Sequence, residues 1–330
     1  MTTDNAIRLF QIFYDHESAL QIEPGFEPLN NCDGPAEFRE IVPMFRYLKE
    51  TQLHEDEWVG FFSPKFFSKT GLDAAQVRAA VASCDKGVDA VLFSSFWWEI
   101  SRYQSVWEQG EFVHPGLIKV SQELADQAGY QIPLIDAVST FDTAVYSHFL
   151  VAKASFWNEW RRIVEIYLNM VVSDDELFGA TTKYGDEQIP IHPFVAERVP
   201  SLILTNPSFK AKAHRDLIDG FPPTDLEQLF NPNTKEGAEG IACYPFMMKM
   251  MDDMKEAFLA TGERKFLQEY WRCRLKTPVR EGAQHMTSTF MNFLDGNRNA
   301  EDQLGLSFLE NSIFDEMART HNVNIMGIGG

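Results

Sequence analysis

Glu197 combines a reactive side chain with surroundings that suggest a site. It lies in the stretch "HPFVAERVPSLIL", just before an apolar run that is typical of a strand. A carboxylate at the mouth of such an element is well placed to accept a proton from an attacking hydroxyl. An ion pair with the neighbouring Arg198 is the other role open to the same group. Glu197 is therefore a candidate general base, with a structural ion pair as the alternative.

A second stretch, "YSHFLVAKASFWNEW", brings polar and aromatic side chains together from Tyr146 onward. We predict that it begins as a strand, in which Tyr146 and His148 are two residues apart and point to one face. The helix that follows adds Trp157 and further aromatic rings, whose faces suit stacking on sugars or bases. The stretch is thus a candidate pocket wall, although a histidine in a strand is more often a core residue with its hydrogen bonds made.

Metal and cofactor motifs are weak in this chain. The acidic pairs in "SDDE" (Ser173 to Glu176) and "MDD" (Met251 to Asp253) are the groups that suit a divalent cation on a nucleotide. Adjacent carboxylates diverge on a helix and alternate on a strand, so a solvated acidic turn is the alternative for both. The sequence has no GxGxxG, Walker, GxSxG or HExxH motif, and its four cysteines lack metal-ligand spacing.

The elements that would position these groups alternate between strand and helix. Strands are predicted at "AIRLFQIFYD", "EWVGFFS", "VDAVLFSSFWW" and the stretch from Tyr146, and "EPGFEPLNNCDG" is predicted to be a loop. Helices are predicted at "PAEFREIVPMFRYLKET", with a kink at Pro43, and at "GLDAAQVRAAVASCDKG", "GLIKVSQELADQAGY" and "SFWNEWRRIVEIYLNMV". The alternation favours an α/β sheet with parallel connections, and the last third shows helical patterns alone.

Composition limits the classes of function. The 330 residues are 45% hydrophobic, enough to bury a sizeable core. The net charge of -19 repels polyanions, so we expect no nucleic-acid partner. The sequence shows neither a signal peptide nor an apolar run of transmembrane length, and the expected location is the cytoplasm.

The order of five segments resembles a family of bacterial capsular-polysaccharide and lipopolysaccharide glycosyltransferases with a GT-A-like fold. The segments are "FREIVPMFRYLKE", "WVGFFSPKFF", "DAVLFSSFWW", "SHFLVAKASFWNEWRRIV" and "FVAERVPSLIL", and the likeness covers about residues 6 to 205. The matched positions are Glu40, Gly60, Lys153, and Glu197 with Arg198. Where the family has His-Tyr-Arg-Arg, this chain has Ser63-Pro64-Lys65-Phe66, so Lys65 is the cation left at that place. His148 stands where the family has an asparagine.

The resemblance implies a GT-A-like, Rossmann-like mixed sheet flanked by helices over residues 1–205, with a helical extension over residues 206–330 packed on it. It implies transfer of a sugar from a nucleotide-sugar donor to a hydroxyl of a surface glycan. Such chemistry needs a base, a means of stabilising the departing diphosphate and a shaped pocket. The residues we assign to these tasks are Glu197 as base, with Asp142 in reserve; Tyr14, Asp15, Asn31, Lys65 and Arg102 for the donor; and Tyr146, His148 and Trp157 for the acceptor.

Several alternatives stay open from the sequence. The DxD metal motif usual in GT-A enzymes is absent, so Mn²⁺ or Mg²⁺ is an open question and not an expected cofactor. A glycan- or nucleotide-binding protein of the same fold that has lost catalysis is one alternative function. A scaffold protein that uses its helical last third is another. Peripheral contact with a membrane and the oligomeric state are also undecided.

Overall fold

The structure, a computed structural model, describes residues 7–94, 97–173, 175–184, 187–215, 233 and 235–276. The chain divides into two compact units. The first, called the sheet unit, comprises residues 1–96, 109–137 and 141–214; the second, called the helical unit, comprises residues 97–108, 138–140 and 215–330. The β-strand Ala211–Ala213 belongs to the sheet unit, so the sheet extends beyond the predicted boundary at residue 205.

Eight strands are described, all in the sheet unit: β1 Ile7–Phe13, β2 Glu27–Asn30, β3 Trp58–Phe62, β4 Ala90–Leu92, β5 Leu150–Lys153, β6 Thr181–Tyr184, β7 Glu187–Pro190 and β8 Ala211–Ala213. Six of them form one sheet in the order β2-β1-β3-β5-β4-β8, and β6 and β7 form a separate antiparallel pair. In the large sheet β1 is parallel to β2 and β3, and β4 is parallel to β8. Strand β5 is antiparallel to both of its neighbours, β3 and β4.

The helices, in chain order, are α1 His16–Ala19, α2 Ile41–Glu50, α3 Phe66–Thr70, α4 Ala74–Ala82, α5 Trp97–Arg102, α6 Val106–Val113, α7 Leu117–Gln127, α8 Ala154–Ser173, α9 Asp175–Phe178, α10 His192–Ala196, α11 Val199–Ile203, α12 Lys235–Thr261 and α13 Arg264–Lys276. Short 3-10 helices span Ala36–Phe38 and Leu134–Asp136. The predicted α/β class is confirmed as a mixed sheet flanked by helices. None of the described helices is both long and apolar enough to cross a membrane.

Local sequence signals explain several of these elements. Asp73 caps α4 in a capping box. Its side chain accepts from the Gln76 backbone N–H, and the Gln76 side-chain oxygen accepts from the Asp73 backbone N–H. Every residue of β3 is buried, and Gly60 within it allows close packing, since a Cβ there would lie 2.8 Å from Val151. Buried positions recur at helical spacing along α8, including Trp157 and Trp160, as expected for a helix packed on a sheet.

Four local predictions were wrong. Helix α2 begins at Ile41 and not at Pro35, which puts Pro43 in its first turn, where no hydrogen bond is lost. Part of the predicted loop "EPGFEPLNNCDG" is the parallel strand β2. The strand predicted from Tyr146 begins at Leu150, and the apolar run after Glu197 is the helix α11.

In the helical unit a buried lysine joins three segments. The Lys255 ammonium on α12 donates to the carbonyl oxygens of Ile100 and Ser139, both at 2.6 Å, and of Tyr103 at 3.3 Å. The Asp252 carboxylate lies 3.8 Å away, and both side chains are fully buried. These contacts tie α12 to α5 and to residues 138–140 because the charge can be satisfied only when all three segments are in place.

Candidate functional site

One edge of the large sheet collects the segments that carry the candidate residues. Since β1, β2, β3, β4 and β8 run in the same direction, their carboxyl ends lie at one edge, which is also where the antiparallel β5 begins. Tyr14 follows β1, Asn31 follows β2, α3 follows β3, and His148 precedes β5. Ligands in open α/β sheets bind at this edge, beyond the carboxyl ends of the strands.

Glu197 lies between α10 and α11 and has an unusual environment for a carboxylate. Its side chain is partly exposed, yet burial raises its pKa to about 7, with a further rise from the charge of Glu40. The charges of Arg198, Arg39 and Lys69 act in the opposite direction. We infer that Glu197 lies in a recess, and we use the name Glu197 recess for Glu197 with Tyr14, Arg39, Glu40 and Lys69, the groups linked to it electrostatically.

Glu197 and Arg198 do not form the ion pair that was the alternative role for Glu197. Among the residues that the structure describes, no hydrogen bond or ion pair to the Glu197 carboxylate is formed. The Arg198 guanidinium instead donates to the Phe194 carbonyl and to the Gln109 side chain, both at 2.7 Å. Gly110 makes room for it, since a Cβ there would lie 2.8 Å from the Arg198 Nε. Glu197 thus contributes a carboxylate that is not committed to a structural bond.

The charge of Glu40 acts on the Tyr14 hydroxyl. Burial is the largest cause that raises the pKa of Tyr14 well above its usual value, and the negative charge of Glu40 adds to the rise. Glu197 contributes a smaller rise in the same direction, which places all three groups in one electrostatic neighbourhood. Tyr14 is therefore a neutral hydroxyl at neutral pH.

The backbone before Glu40 is strained. Arg39 has a φ of 45° and a ψ of -124°, a conformation that side chains other than glycine rarely adopt. The Asn31 side-chain amide donates to the Arg39 carbonyl at 2.9 Å, and the Arg39 guanidinium lies 5.6 Å from the centre of the Phe194 ring. Strain of this kind persists where the surroundings fix the conformation, and it is concentrated at functional sites. Asn31 is buried and holds this turn.

His148 is buried just before β5 and does not lie in a strand. Burial lowers its pKa to about 4, so the imidazole is neutral at neutral pH, and the Ala196 backbone, next to Glu197, acts on that pKa in the opposite direction. Its Nε2 is buried and has no hydrogen-bond partner among the described residues. Tyr146 is also buried, with the Arg198 guanidinium 6.0 Å from its ring centre. The two residues therefore support the segment that carries Glu197 and do not form one face of a strand.

Trp157, predicted on the acceptor side, is fully buried. Its indole N–H donates to the Val59 carbonyl at 2.9 Å, and its ring packs edge-on against Phe61 at 5.0 Å. No face of the ring is exposed to a ligand. This position assigns Trp157 to the packing of α8 on β3.

The reserve base, Asp142, is committed to the sheet. One of its carboxylate oxygens accepts from the Ala213 backbone N–H at 2.7 Å, and the other lies 3.7 Å from the Lys212 ammonium. Both contacts fix the end of β8. Glu197 is accordingly the better candidate for a base.

The remaining donor candidates have different surroundings. Asp15 is exposed and caps α1 through Ser18, whose hydrogen bonds lower the Asp15 pKa. Lys65 is exposed at the start of α3, on the edge described above. Arg102 is buried in the helical unit, where its carbonyl accepts from the Tyr270 hydroxyl at 2.7 Å.

The acidic pairs do not form a metal site in the part of the chain that is described. No group of three or more His, Cys, Asp or Glu side chains suited to a metal ion occurs there. Asp252 faces Lys255, whereas Asp253 pairs with Lys249 at 2.9 Å, so the two carboxylates diverge as helix geometry requires. Asp174 of "SDDE" lies outside the described residues.

Arg39, Lys69 and Tyr167 were not identified from the sequence as neighbours of Glu197, and Glu40 was identified as a matched position without a role. Each lies on a different element, and no short motif links them. The signal that was available is topological: loops that follow parallel strands meet at one edge.

No protein-family model matches the chain. No curated protein and no solved structure is significantly similar to it.

Proposed function

We propose that the chain is a glycosyltransferase that moves a sugar from a nucleotide-sugar donor to a hydroxyl of a surface glycan. The observation that carries the proposal is Glu197, a partly exposed carboxylate without a structural partner among the described residues, whose pKa is raised to about 7. A general base is most effective when its pKa lies near the working pH. The mixed sheet with one antiparallel strand is compatible with the GT-A-like arrangement that the resemblance implies.

In the proposed reaction the ionised Glu197 accepts the proton of the acceptor hydroxyl. The oxygen forms a bond to the anomeric carbon of the donor sugar, and the bond from that carbon to the diphosphate oxygen breaks. The nucleoside diphosphate leaves with the electron pair. No cofactor enters this balance of atoms and charges.

The departing diphosphate needs positive charge nearby, and the recess supplies it. Arg39, Lys69 and Arg198 all act on Glu197, in a chain whose overall charge is -19. Lys65 is the residue before α3, and Lys69 lies in the last turn of that helix. Cations fixed before the reaction stabilise developing charge with little reorganisation. These groups would take the place of the two arginines that the family has at the positions of Lys65 and Phe66.

The first experiment is a binding screen by thermal shift and calorimetry with UDP-, GDP-, CMP- and dTDP-sugars, with and without Mn²⁺. A ligand present at 100 times its Kd stabilises the native state by about 2.7 kcal/mol. One nucleotide is expected to raise the melting temperature, and its dependence on Mn²⁺ tests the metal question. If none binds at millimolar concentration, the glycosyltransferase proposal fails and the scaffold alternative takes its place.

Two variants then separate catalysis from binding. Glu197→Gln is expected to abolish transfer while leaving donor affinity within a few-fold of wild type. Asp142→Asn is the matched control, because it removes a carboxylate on the same edge that is bound to β8. Equal loss of transfer in both variants would contradict the assignment of the base. Donor binding without transfer in the wild type would support the catalytically inactive alternative.

A further inference from the structure

Arg39 keeps a backbone conformation that is strained for any residue with a side chain. Its φ is 45° and its ψ is -124°, and among the residues that the structure describes it is the one non-glycine residue with a positive φ. A glycine would adopt this conformation without strain. Retention of a larger residue there indicates that its side chain has a use, and such strained residues cluster at ligand sites.

The Asn31 side chain holds the strained turn. Its amide donates to the Arg39 carbonyl at 2.9 Å, and its backbone N–H donates to the Phe13 carbonyl at the end of β1, also at 2.9 Å. Gly34 lies so close to the Asn31 amide that a Cβ there would overlap with the Asn31 Oδ1. Asn31 is only 6% exposed, which favours a supporting role over the direct donor contact assigned from the sequence. One buried amide therefore ties the turn to the sheet.

The Arg39 guanidinium is held by an aromatic ring. Its Cζ lies 5.6 Å from the centre of the Phe194 ring, within the range of a cation–π contact. The Phe194 ring is itself fixed, because the His114 ring stacks on it at 3.6 Å and bonds to the Thr182 hydroxyl at 3.1 Å. Arg39 is partly exposed and follows β2 along the chain. A fixed cation with solvent access thus lies at the carboxyl edge of the sheet, where ligands of open α/β sheets bind.

We infer that Arg39 binds the diphosphate of the donor and that Asn31 is a positioning residue that fixes the Arg39 turn for this purpose. The identity of the ligand rests on the proposed function, but recognition of a diphosphate by a fixed guanidinium requires no sugar transfer. A guanidinium is planar and always charged, and it binds phosphate oxygens through pairs of N–H donors. A cation that is already fixed loses less conformational entropy when the anion binds, which is the benefit that the strained turn provides.

The first test compares Arg39→Gly with Arg39→Ala in the absence of any ligand. Both variants remove the guanidinium, and only glycine relieves the strain. Glycine is ordinarily the less stable of the two, whereas here Arg39→Gly should have the higher Tm by about 2 to 4 °C. In an Asn31→Ala background the difference should shrink, because the turn is then able to relax. A Tm of Arg39→Gly equal to or below that of Arg39→Ala would refute the strained turn.

The second test is calorimetric titration with inorganic pyrophosphate. Arg39→Ala and Arg39→Gly should both weaken its binding by about 10- to 100-fold, and Arg39→Lys should weaken it less, because lysine keeps the charge without the paired donors. Gly34→Ala displaces the Asn31 amide without changing any charge, and it should weaken binding several-fold. Arg46→Ala is the matched control, since it removes an exposed arginine from α2, and it should leave the affinity unchanged.

Three binding results would overturn the inference: no pyrophosphate binding by the wild type, unchanged affinity in Arg39→Ala, or an equal loss in Arg46→Ala. If Arg39→Ala does not fold, Arg39→Gly and Arg39→Lys give the same comparison, and equal affinities of these two variants refute the role. Pyrophosphate binding with a failed donor screen would refute the proposed function and leave this inference intact. Binding of a nucleotide-sugar that Arg39→Ala does not weaken would refute this inference and leave the proposed function intact.

Discussion

Replacement of Glu197 by glutamine should make the protein more stable at alkaline pH while removing its activity. The Glu197 pKa is raised from 4.5 to about 7 in the folded chain, mainly by burial. Below pH 4.5 the carboxyl is protonated in both the folded and the unfolded state, so its contribution to stability is fully present. That contribution is lost as the pH rises through about 7, because the unfolded chain gives up the proton first.

The size of the effect follows from the same shift. One pKa unit corresponds to about 1.4 kcal/mol, so the rise amounts to about 3 kcal/mol. Partial exposure of the side chain screens it, and we expect about 2 kcal/mol. Glutamine has the shape of the protonated acid and cannot ionise. The advantage of Glu197→Gln over wild type should therefore be near zero at pH 4 and reach about 2 kcal/mol at pH 8.

The assay is urea unfolding at pH 4, 6 and 8, with hydrogen exchange of peptides from β1 and β3 as the readout for the sheet unit. Asp142→Asn is the contrasting control, since its carboxylate is bound by the Ala213 N–H and lies near Lys212. That variant should be less stable than wild type at pH 8. If the unfolding midpoints of wild type and Glu197→Gln differ by a constant amount from pH 4 to pH 8, then Glu197 is not desolvated and the argument for a recess is wrong.

Three further substitutions test other parts of the structure. Lys255→Met should destabilise the helical unit by about 3 to 5 kcal/mol in urea unfolding, because it strands three buried carbonyl groups and a buried carboxylate; a loss below about 1 kcal/mol would contradict this. Gly110→Ala should displace Arg198 and lower the Tm, whereas an unchanged Tm would show that α6 can move aside. Trp157→Phe should cost about 1 to 3 kcal/mol by leaving the Val59 carbonyl without its indole donor, and unaltered stability would point to another role for this ring.

The sequence specified the elements that depend on local pattern. The first strand, β3, the capped helix α4 and the helix α8 were all predicted, because hydrophobic period and capping residues act within a few positions. The start of α2 was misplaced, since nothing local predicts the positive φ of Arg39, whose carbonyl accepts from the Asn31 side chain. The short strands β2 and β8 were not predicted either, because three or four residues are too few to show the alternation of apolar and polar residues that indicates a strand.

For the candidate residues, too, the sequence provided the residue types, and the fold decided their roles. The sequence alone offered Glu197, His148 and Trp157 as site residues with no means to rank them. Burial in the folded chain distinguishes them. The Trp157 indole is buried in the core and bonded to Val59, whereas the Glu197 carboxylate keeps solvent access and forms no structural bond among the described residues. The neighbourhood of Glu40 and Glu197, separated by 157 positions, arises only when parallel strands bring their following loops to one edge. Residue types and local periodicity are properties of the sequence, whereas proximity and desolvation, which set the chemistry of a carboxylate, exist only in the folded chain.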